Sequence, residues 1–246
     1  MKEYYTAFAM CQSMFCAIPS PFKAWDENAR DKMLLFFPPI GLEIGAIWFA
    51  LTCVVQHFDL PNSVCALLLA FYPYIVTGFI HLDGFMDVTD AVKSYRNLER
   101  RREILKDSRV GSFAVISVAM LLIAQFALFA AVPEKAEYII LIFIPVISRA
   151  CSALAVTLLN PMETSQYADS AEPKSHIVCL ILIVLSVTII GVIVCKRYAF
   201  VLLGVIAGYG FALRKGYKSL QGMNGDISGY ALTIGELCGI AALALL

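Results

Sequence analysis

Long apolar runs dominate this chain and decide what it can fold into. Seven runs of about 20 mostly apolar residues, the length that spans a bilayer as a helix, cover approximately 34–56, 62–81, 110–132, 138–159, 176–195, 198–213 and 227–246. Lipid offers no hydrogen-bond partner to an open backbone, and the runs lack the alternation of barrel strands. They therefore predict transmembrane α-helices.

Composition supports the same fold class. The 246 residues are 60% apolar and 15% charged, whereas soluble domains average roughly 45–50% apolar and about 25% charged. The formal net charge is zero, which gives no sign of nucleic-acid binding. We predict an all-α, polytopic membrane helix bundle with about seven transmembrane helices, forming a single integral membrane domain over residues 1–246.

The basic residues predict which side of the bundle faces the cytoplasm. Of the 19 Lys and Arg residues, fifteen fall in the N-terminal segment and in the connections after the second, fourth and sixth runs. Only three lie in the opposite connections, and Arg149 lies inside the fourth run. Because short cytoplasmic loops are rich in Lys and Arg, the N-terminus and residues 83–109 are expected in the cytoplasm. Residues 4–18 are too short to span and are expected to form an interfacial helix.

Three carboxylates follow the second run in the segment His81-Leu82-Asp83-Gly84-Phe85-Met86-Asp87-Val88-Thr89-Asp90. Their spacing places Asp83, Asp87 and Asp90 on one helix face, where like charges destabilise the helix unless a cation lies between them. Mg²⁺ suits this pattern, because it takes few carboxylates and completes its shell with water and phosphate oxygens. Gly84 would permit close approach of another backbone. The alternative is a solvated acidic helix end.

A second polar motif, Lys106-Asp107-Ser108-Arg109-Val110-Gly111, directly precedes the third run. A helix N-terminus attracts anions, and Lys, Ser and Arg side chains bind phosphate oxygens. We therefore predict that Lys106, Ser108 and Arg109 contact substrate phosphate, with simple topology signalling as the alternative. The neighbouring Arg100, Arg101 and Arg102 are more typical of lipid-headgroup contact.

A few charged residues lie within the apolar runs. Glu43, Arg149 and Glu236 each stand about 15 Å below the cytoplasmic side, at a rise of 1.5 Å per residue, and Asp226 stands at the mouth of the last run. Charges at this depth face the bundle interior and need partners. They predict a polar cavity open to the cytoplasm or, alternatively, a structural Arg–Glu pair that ties two helices together.

The motifs, in this order, resemble those of the cobalamin synthase family, the adenosylcobinamide-GDP ribazoletransferases. The resemblance covers nearly the whole chain and depends chiefly on the combination of H-L-D-G-x-x-D-x-x-D with K-D-S-R-x-G. It extends to Phe37-Pro38-Pro39-Ile40-Gly41-Leu42, Ser148-Arg149, Gly225-Asp226 and Gly235-Glu236-Leu237. The chain departs from the usual family pattern at Ala17, Ala91, Asp169 and Thr233.

The resemblance implies transfer of the adenosylcobinamide phosphate moiety from adenosylcobinamide-GDP to α-ribazole or its 5′-phosphate, forming adenosylcobalamin and releasing GMP. It further implies a Mg²⁺-dependent enzyme of the cell inner membrane whose active site faces the cytoplasm. Asp83, Asp87 and Asp90 are then the expected metal ligands, and Asp90, or else Asp107, orients or deprotonates the acceptor hydroxyl. Substrate contacts are expected from His81, Gly84, Lys106, Ser108, Arg109, Arg149, Asp226 and Glu236, although His81 could equally be a packing residue.

Two other functions fit parts of the pattern. A CDP-alcohol phosphotransferase acting on lipid would share the spaced aspartates, but its Gly-x-x-Ala-Arg continuation and later paired aspartates are missing after Asp87. A small transporter would need ionisable groups reaching both sides of the bilayer, and here they crowd toward one face. The sequence leaves open a homo-oligomer or an association with other cobamide-assembly enzymes. Gly204, Gly208 and Gly210 would permit close helix packing.

Overall fold

The computed structural model of the chain describes residues 2–20, 22, 24–58, 60–133, 135–163, 165 and 174–246. Lys23, one of the basic residues counted above, and Asp169 lie outside the described residues. Within the described ranges the regular structure is helical, and extended pairing is limited to an isolated bridge between Pro161 and Met223.

The described part of the chain forms a series of α-helices joined by short 3₁₀ turns and loops. In chain order they are α1 (Lys2–Phe15), α2 (Arg30–Met33), α3 (Phe37–His57), α4 (Asn62–Val76), α5 (Ile80–Lys93), α6 (Leu98–Leu105), α7 (Ser112–Ala131), α8 (Phe143–Leu158), α9 (Lys174–Cys195), α10 (Phe200–Leu220) and α11 (Gly225–Leu245). Around α11 lie α10, α5, α8 and α7, so α11 is central to the bundle.

Among the residues that the structure describes, five helical segments are long and apolar enough to cross a membrane, and α4 with α5 would add a sixth if the pair forms one broken span. The five are Glu27–His57, Ser112–Ala131, Tyr138–Leu158, Lys174–Leu220 and Gly225–Leu245. The polytopic helical fold predicted from the apolar runs is confirmed. The expected number of about seven is approximate, because it treats the α4 run as a complete span.

The longest of these segments turns back on itself between α9 and α10. The two helices are separated by a 3₁₀ turn, Lys196–Ala199, in which Lys196 has a φ of 50°. The side chain of Leu202 lies 2.7 Å from the position that a Cβ on Gly191 would occupy. In a straight helix these residues would be about 16 Å apart, so the contact requires a reversal of the chain.

The second apolar run is broken where the sequence predicts a continuous helix to residue 81. Helix α4 ends at Val76, Gly78 and Phe79 adopt positive φ values of 59° and 64°, and α5 leaves at 88° to α4. The acidic motif therefore occupies a helix of its own instead of the end of the second span. That arrangement lets α5 pack along α11 and α7.

Small residues bring helices close together within the bundle. A Cβ on Gly204 would lie 3.0 Å from the Cys238 carbonyl oxygen, and one on Gly208 would lie 2.6 Å from the Cys238 side chain. Gly210, by contrast, faces open space. Two of the three glycines noted for close packing are therefore used inside the chain, between α10 and α11.

Helix α1 is more embedded in the bundle than an isolated surface helix would be. Ala7, Met10 and Cys11 are fully buried against the rest of the chain. Tyr5 of α1 and Trp25 of the following loop are 64% and 56% exposed, and amphipathic aromatic rings of this kind favour the membrane–water interface. The expected short helix is present, and its interfacial position stays a prediction.

Candidate active site

Helices α5 and α11 cross at Gly84 with main-chain contact. A Cβ on Gly84 would lie 2.9 Å from the Asp226 carbonyl oxygen and 3.0 Å from its Cα. One turn further along, a Cβ on Gly229 would lie 3.2 Å from the Cα of His81. Glycine is therefore required for space at the crossing. The close approach that Gly84 permits is made by the backbone of α11.

This crossing brings Asp226 to the carboxylates of α5. Asp87 is close enough to Asp83, Asp90 and Asp226 to feel the charge of each, and Asp226 likewise feels the charge of Asp83. Asp83 is exposed, and the other three are partly buried. Within the described ranges none of the four forms an ion pair. Four mutually repelling carboxylates without a counterion form a site that a cation would stabilise.

The donor set fits a hard divalent cation such as Mg²⁺, which binds carboxylate oxygens and keeps several waters. The four carboxylates do not form a complete ligand shell, since no group of three or more His, Cys, Asp or Glu side chains among the described residues is arranged to hold a metal ion. One reason is that the carboxylate of Asp90 lies against Gly111. Metal ligation by Asp83, Asp87 and Asp90 therefore stays a prediction.

The acidic and basic motifs meet at Asp90 and Gly111. A Cβ on Gly111 would overlap the Asp90 carboxylate. Gly111 has φ −86° and ψ 164°, a conformation open to any residue, so its missing side chain matters for space alone. The Asp90 carboxylate thus lies at the start of α7, where the helix dipole favours a negative charge.

The polar motif before α7 is exposed and partly self-paired. Lys106, Ser108 and Arg109 are all exposed, and Arg109 holds Asp107 through Nη2 to Oδ2 at 2.6 Å and Nε to Oδ1 at 3.0 Å. The hydrogen bond from the Arg109 guanidinium lowers the pKa of Asp107 to about 2. As placed, Asp107 is a poor proton acceptor, which leaves Asp90 as the better candidate of the two.

Two of the three arginines of α6 bind the end of α10. Arg102 donates from Nε to the Leu220 carbonyl at 3.0 Å and from Nη2 to the Gln221 carbonyl at 2.7 Å. Arg101 donates from Nη1 to the Ser219 carbonyl at 2.9 Å. Carbonyls in the last turn of a helix have no partner inside it. Arg101 and Arg102 therefore have a structural role that the sequence did not predict, while Arg100 is exposed and pairs with Glu103. Headgroup contact by the three arginines stays a prediction.

The turn between α10 and α11 positions Asp226, and sequence reasoning missed how. Asn224 caps α11 by accepting from the Ile227 N–H at 3.0 Å, and its Nδ2 donates to Asp226 Oδ2 at 2.7 Å. The Met223 N–H donates to the Asn160 carbonyl at 2.9 Å, which ties the turn to the end of α8. The signal was present in the sequence, because Asn is a preferred N-cap residue.

A comparison of the chain with known families decides what this arrangement belongs to. A family model described as cobalamin-5-phosphate synthase matches residues 7–244. The chain belongs to the cobalamin-5-phosphate synthase family. The resemblance drawn from the motifs is thereby confirmed, and the lipid phosphotransferase and transporter alternatives are not favoured.

Similar proteins named adenosylcobinamide-GDP ribazoletransferase span the same length. One from Clostridium perfringens (strain 13 / Type A) is 38% identical over 100% of both chains. One from Clostridium botulinum (strain Alaska E43 / Type E3) is 34% identical over 100% of this chain and 99% of its own. One from Lachnoclostridium phytofermentans is 34% identical over 95% of this chain and 90% of its own. No solved structure matches the chain.

Deeper in this cobalamin-5-phosphate synthase family member, Arg149 and Glu236 form a buried ion pair. Arg149 Nη1 lies 2.7 Å from Glu236 Oε1, and the Ser148 hydroxyl donates to the same oxygen at 2.7 Å. The two charged side chains are only 1% and 7% exposed. The geometry supports the structural pair between α8 and α11, and substrate contact by either residue stays a prediction. Glu43 forms no ion pair with any residue that the structure describes.

His81 is packed between aromatic rings just below the carboxylates. Its ring centroid lies 6.0 Å from that of Phe15, with the rings nearly parallel, and 5.9 Å from that of Phe37. Its carbonyl accepts from the Thr233 hydroxyl at 3.3 Å. The imidazole Nε2 is buried and has no hydrogen-bond partner among the described residues. The packing interpretation of His81 therefore accounts for the ring faces and leaves this nitrogen unexplained.

Proposed function

We propose that this chain transfers adenosylcobinamide phosphate from adenosylcobinamide-GDP to α-ribazole or its 5′-phosphate, with release of GMP. The names of the full-length relatives support the reaction. One structural observation supports this reaction. The acidic motif of α5 contacts the Lys106–Gly111 motif, because the Asp90 carboxylate lies against Gly111. Phosphoryl transfer depends mainly on positioned charge around the phosphate oxygens, and this junction places acidic and basic groups together.

Mg²⁺ is the cation proposed for the carboxylates. Asp83 and Asp87 are the first candidates to hold it, and Asp90 and Asp226 are further candidates that would have to turn toward the ion. A bound divalent ion would neutralise charge on the pyrophosphate oxygens and on the departing GMP. The absence of an ion pair at any of these carboxylates in the described ranges supports this assignment.

The side chains of the chain supply positioning and proton transfer. Asp90 takes the proton of the acceptor hydroxyl as its oxygen attacks the cobinamide-side phosphorus. The bond from that phosphorus to the bridging oxygen breaks, and GMP leaves with that oxygen. Lys106, Ser108 and the Arg109 nitrogen that Asp107 leaves free bind the phosphate oxygens. The Arg109 side chain is 85% exposed, so a ligand can reach it while its contact with Asp107 is kept.

We place the reaction at the cytoplasmic face of the inner membrane. The basic loop of α6, the motif before α7 and the turn before α11 lie together, as the contacts of Arg101 and Arg102 with the end of α10 require. Short loops rich in Lys and Arg stay in the cytoplasm. The carboxylates at this end of α5 and α11 would then meet water-soluble nucleotides.

A direct assay tests this function. The full chain, purified in detergent, is incubated with adenosylcobinamide-GDP and α-ribazole, with Mg²⁺ or with excess EDTA, and GMP is measured by chromatography. Release that needs both substrates and Mg²⁺ is expected. Release that continues in EDTA would overturn the metal assignment alone. Absence of GMP from a monodisperse preparation would overturn the reaction.

A further inference from the structure

Two cavities adjoin the carboxylates of the candidate active site, and they share Met14 and Ile80 in their linings. The larger measures about 540 Å³ and lies between the end of α1 and the bend before α5, beside Asp83. The smaller measures about 120 Å³ and lies beside Asp226. A transferase with two substrates needs two sites around the reacting atoms, and these cavities differ greatly in size.

The smaller cavity has walls suited to a flat apolar ring. Phe15 and Phe37, whose ring centroids are 4.6 Å apart, line it together with Met14 and Val156. An apolar protein cavity of roughly 150 Å³ binds benzene. A cavity of about 120 Å³ therefore encloses about one ring of a fused aromatic base, with the rest of the base at the open side of the cavity beside Asp226, and it is far too small for a corrinoid or a whole nucleotide.

The polar groups of this cavity are few. His81 lines it, and its Nε2 has no hydrogen-bond partner among the described residues although the side chain is only 6% exposed. Buried polar atoms are nearly always hydrogen-bonded, so this nitrogen calls for a partner. Ser152 and Ser228 also line the cavity, but their hydroxyls hydrogen-bond each other. The carboxylate of Asp226 lines the side of the cavity that opens toward the α5 carboxylates, so the His81 nitrogen is the polar atom between the aromatic walls that is left to recognise a ring.

The two substrates of the proposed reaction carry different bases. The guanine of the donor has hydrogen-bonding groups on several edges, and burying these without partners is costly. The base of α-ribazole is a fused, mostly apolar ring system with a single free ring nitrogen. The apolar walls and the unpartnered His81 nitrogen match the second base.

We propose that this cavity, defined by Met14, Phe15, Phe37, His81 and Val156 and called the base pocket, binds the aromatic base of the acceptor. The assignment rests on the proposed function and adds which part of the chain selects the base. With the ring in the base pocket, the attached ribose extends toward Asp226 and the α5 carboxylates, where its hydroxyl can react.

The test fills the base pocket without touching a carboxylate. Val156→Trp puts a large ring into the cavity, and Val192→Trp makes the same change on α9 at a position that is 54% exposed. Binding of α-ribazole is measured by equilibrium dialysis without donor, and KM for each substrate is taken from GMP release. Val156→Trp is expected to weaken acceptor binding about tenfold or more while leaving the donor KM within about twofold. Val192→Trp should match the wild type.

Each other result has a defined meaning. A Val156→Trp chain with normal acceptor affinity, or with a raised KM for the donor instead, overturns the base pocket. If that variant fails to yield a monodisperse protein, Val156→Leu decides, because its acceptor Kd must rise and an unchanged Kd overturns the proposal. A wild-type chain that binds α-ribazole but releases no GMP overturns the proposed reaction and not the pocket. GMP release with unchanged acceptor affinity in Val156→Trp overturns the pocket and not the reaction.

Discussion

Acidic side chains occur in two regions of this molecule under opposite conditions. Glu236 is almost fully buried and is matched by Arg149 and Ser148. Asp83, Asp87, Asp90 and Asp226 gather at the α5–α11 crossing, and none of them has a cationic partner in the described part of the chain. A buried charge with a protein partner is typical of a structural ion pair, whereas a cluster of like charges without one is typical of a ligand site. The presence or absence of a cationic partner therefore distinguishes structural from functional carboxylates better than their burial does.

The first test asks whether the α5–α11 crossing can lose a carboxylate without loss of activity. Asp87→Asn is expected to lower GMP release by about a thousandfold or more, because electrostatic groups at a reacting phosphate contribute factors of this order. Thermal stability in detergent should stay the same or rise, since repulsion from Asp83, Asp90 and Asp226 is relieved. Asp31→Asn in α2 is the control. Wild-type turnover by Asp87→Asn would contradict the functional assignment of the cluster.

The second test applies the reverse expectation to the buried pair. Glu236→Ala leaves Arg149 charged and unmatched, and breaking a buried pair in this way costs about 3–5 kcal/mol. A large loss of thermal stability is therefore expected, with activity falling only as folded protein falls. The double variant Arg149→Met with Glu236→Leu should recover most of the stability. Normal stability but no turnover in Glu236→Ala would instead place Glu236 in the active site.

A third experiment sharpens the position of Asp90. Gly111→Ala adds a methyl group where the Asp90 carboxylate now lies, and the backbone at residue 111 accepts Ala without strain. The carboxylate must turn away, and misplacing a reacting group by about 1 Å can cost about a hundredfold in rate. Gly210→Ala, where nothing lies within 4 Å, should leave turnover unchanged. Equal turnover in the two variants would show that Asp90 has no part in the reaction.

The smallest effect is expected where the scaffold supports the crossing indirectly. Arg102→Ala removes two hydrogen bonds to the carbonyls before Asp226, and a hydrogen bond to a charged group contributes roughly 1.5–3 kcal/mol. GMP release should fall several-fold, mainly through kcat, because the turn that carries Asp226 loosens. Arg100→Ala removes only an exposed pair with Glu103, which is worth about 0–1 kcal/mol, and should change little.

The sequence predicts the fold class well because lipid leaves few alternatives. A run of twenty apolar residues must form a helix there, and the described structure is helical throughout its regular parts. The break after Val76 was missed for a physical reason. The residues on both sides of it remain apolar, and the turn depends on a positive φ at Phe79, a conformation that a bulky residue rarely adopts and that no local pattern announces.

Some parts of the candidate site could likewise be predicted from the sequence, and others could not. Helical periodicity alone groups Asp83, Asp87 and Asp90, and the need of an intramembrane charge for a partner points to Arg149 with Glu236. Contacts between distant segments are different, because Asp226 reaches the cluster through tertiary packing of α11 on α5. The carbonyl partners of Arg101 and Arg102 could not be predicted for the same reason, since an arginine that binds a carbonyl and one that binds lipid look identical in sequence.

The contact at Gly84 has a consequence for how such a chain can vary. Because α5 meets α11 through backbone atoms at Gly84 and Gly229, the spacing between Asp226 and the carboxylates of α5 is set by the absence of side chains at these two positions. A methyl group at either one would push the two helices apart and widen the gap between Asp226 and the α5 carboxylates.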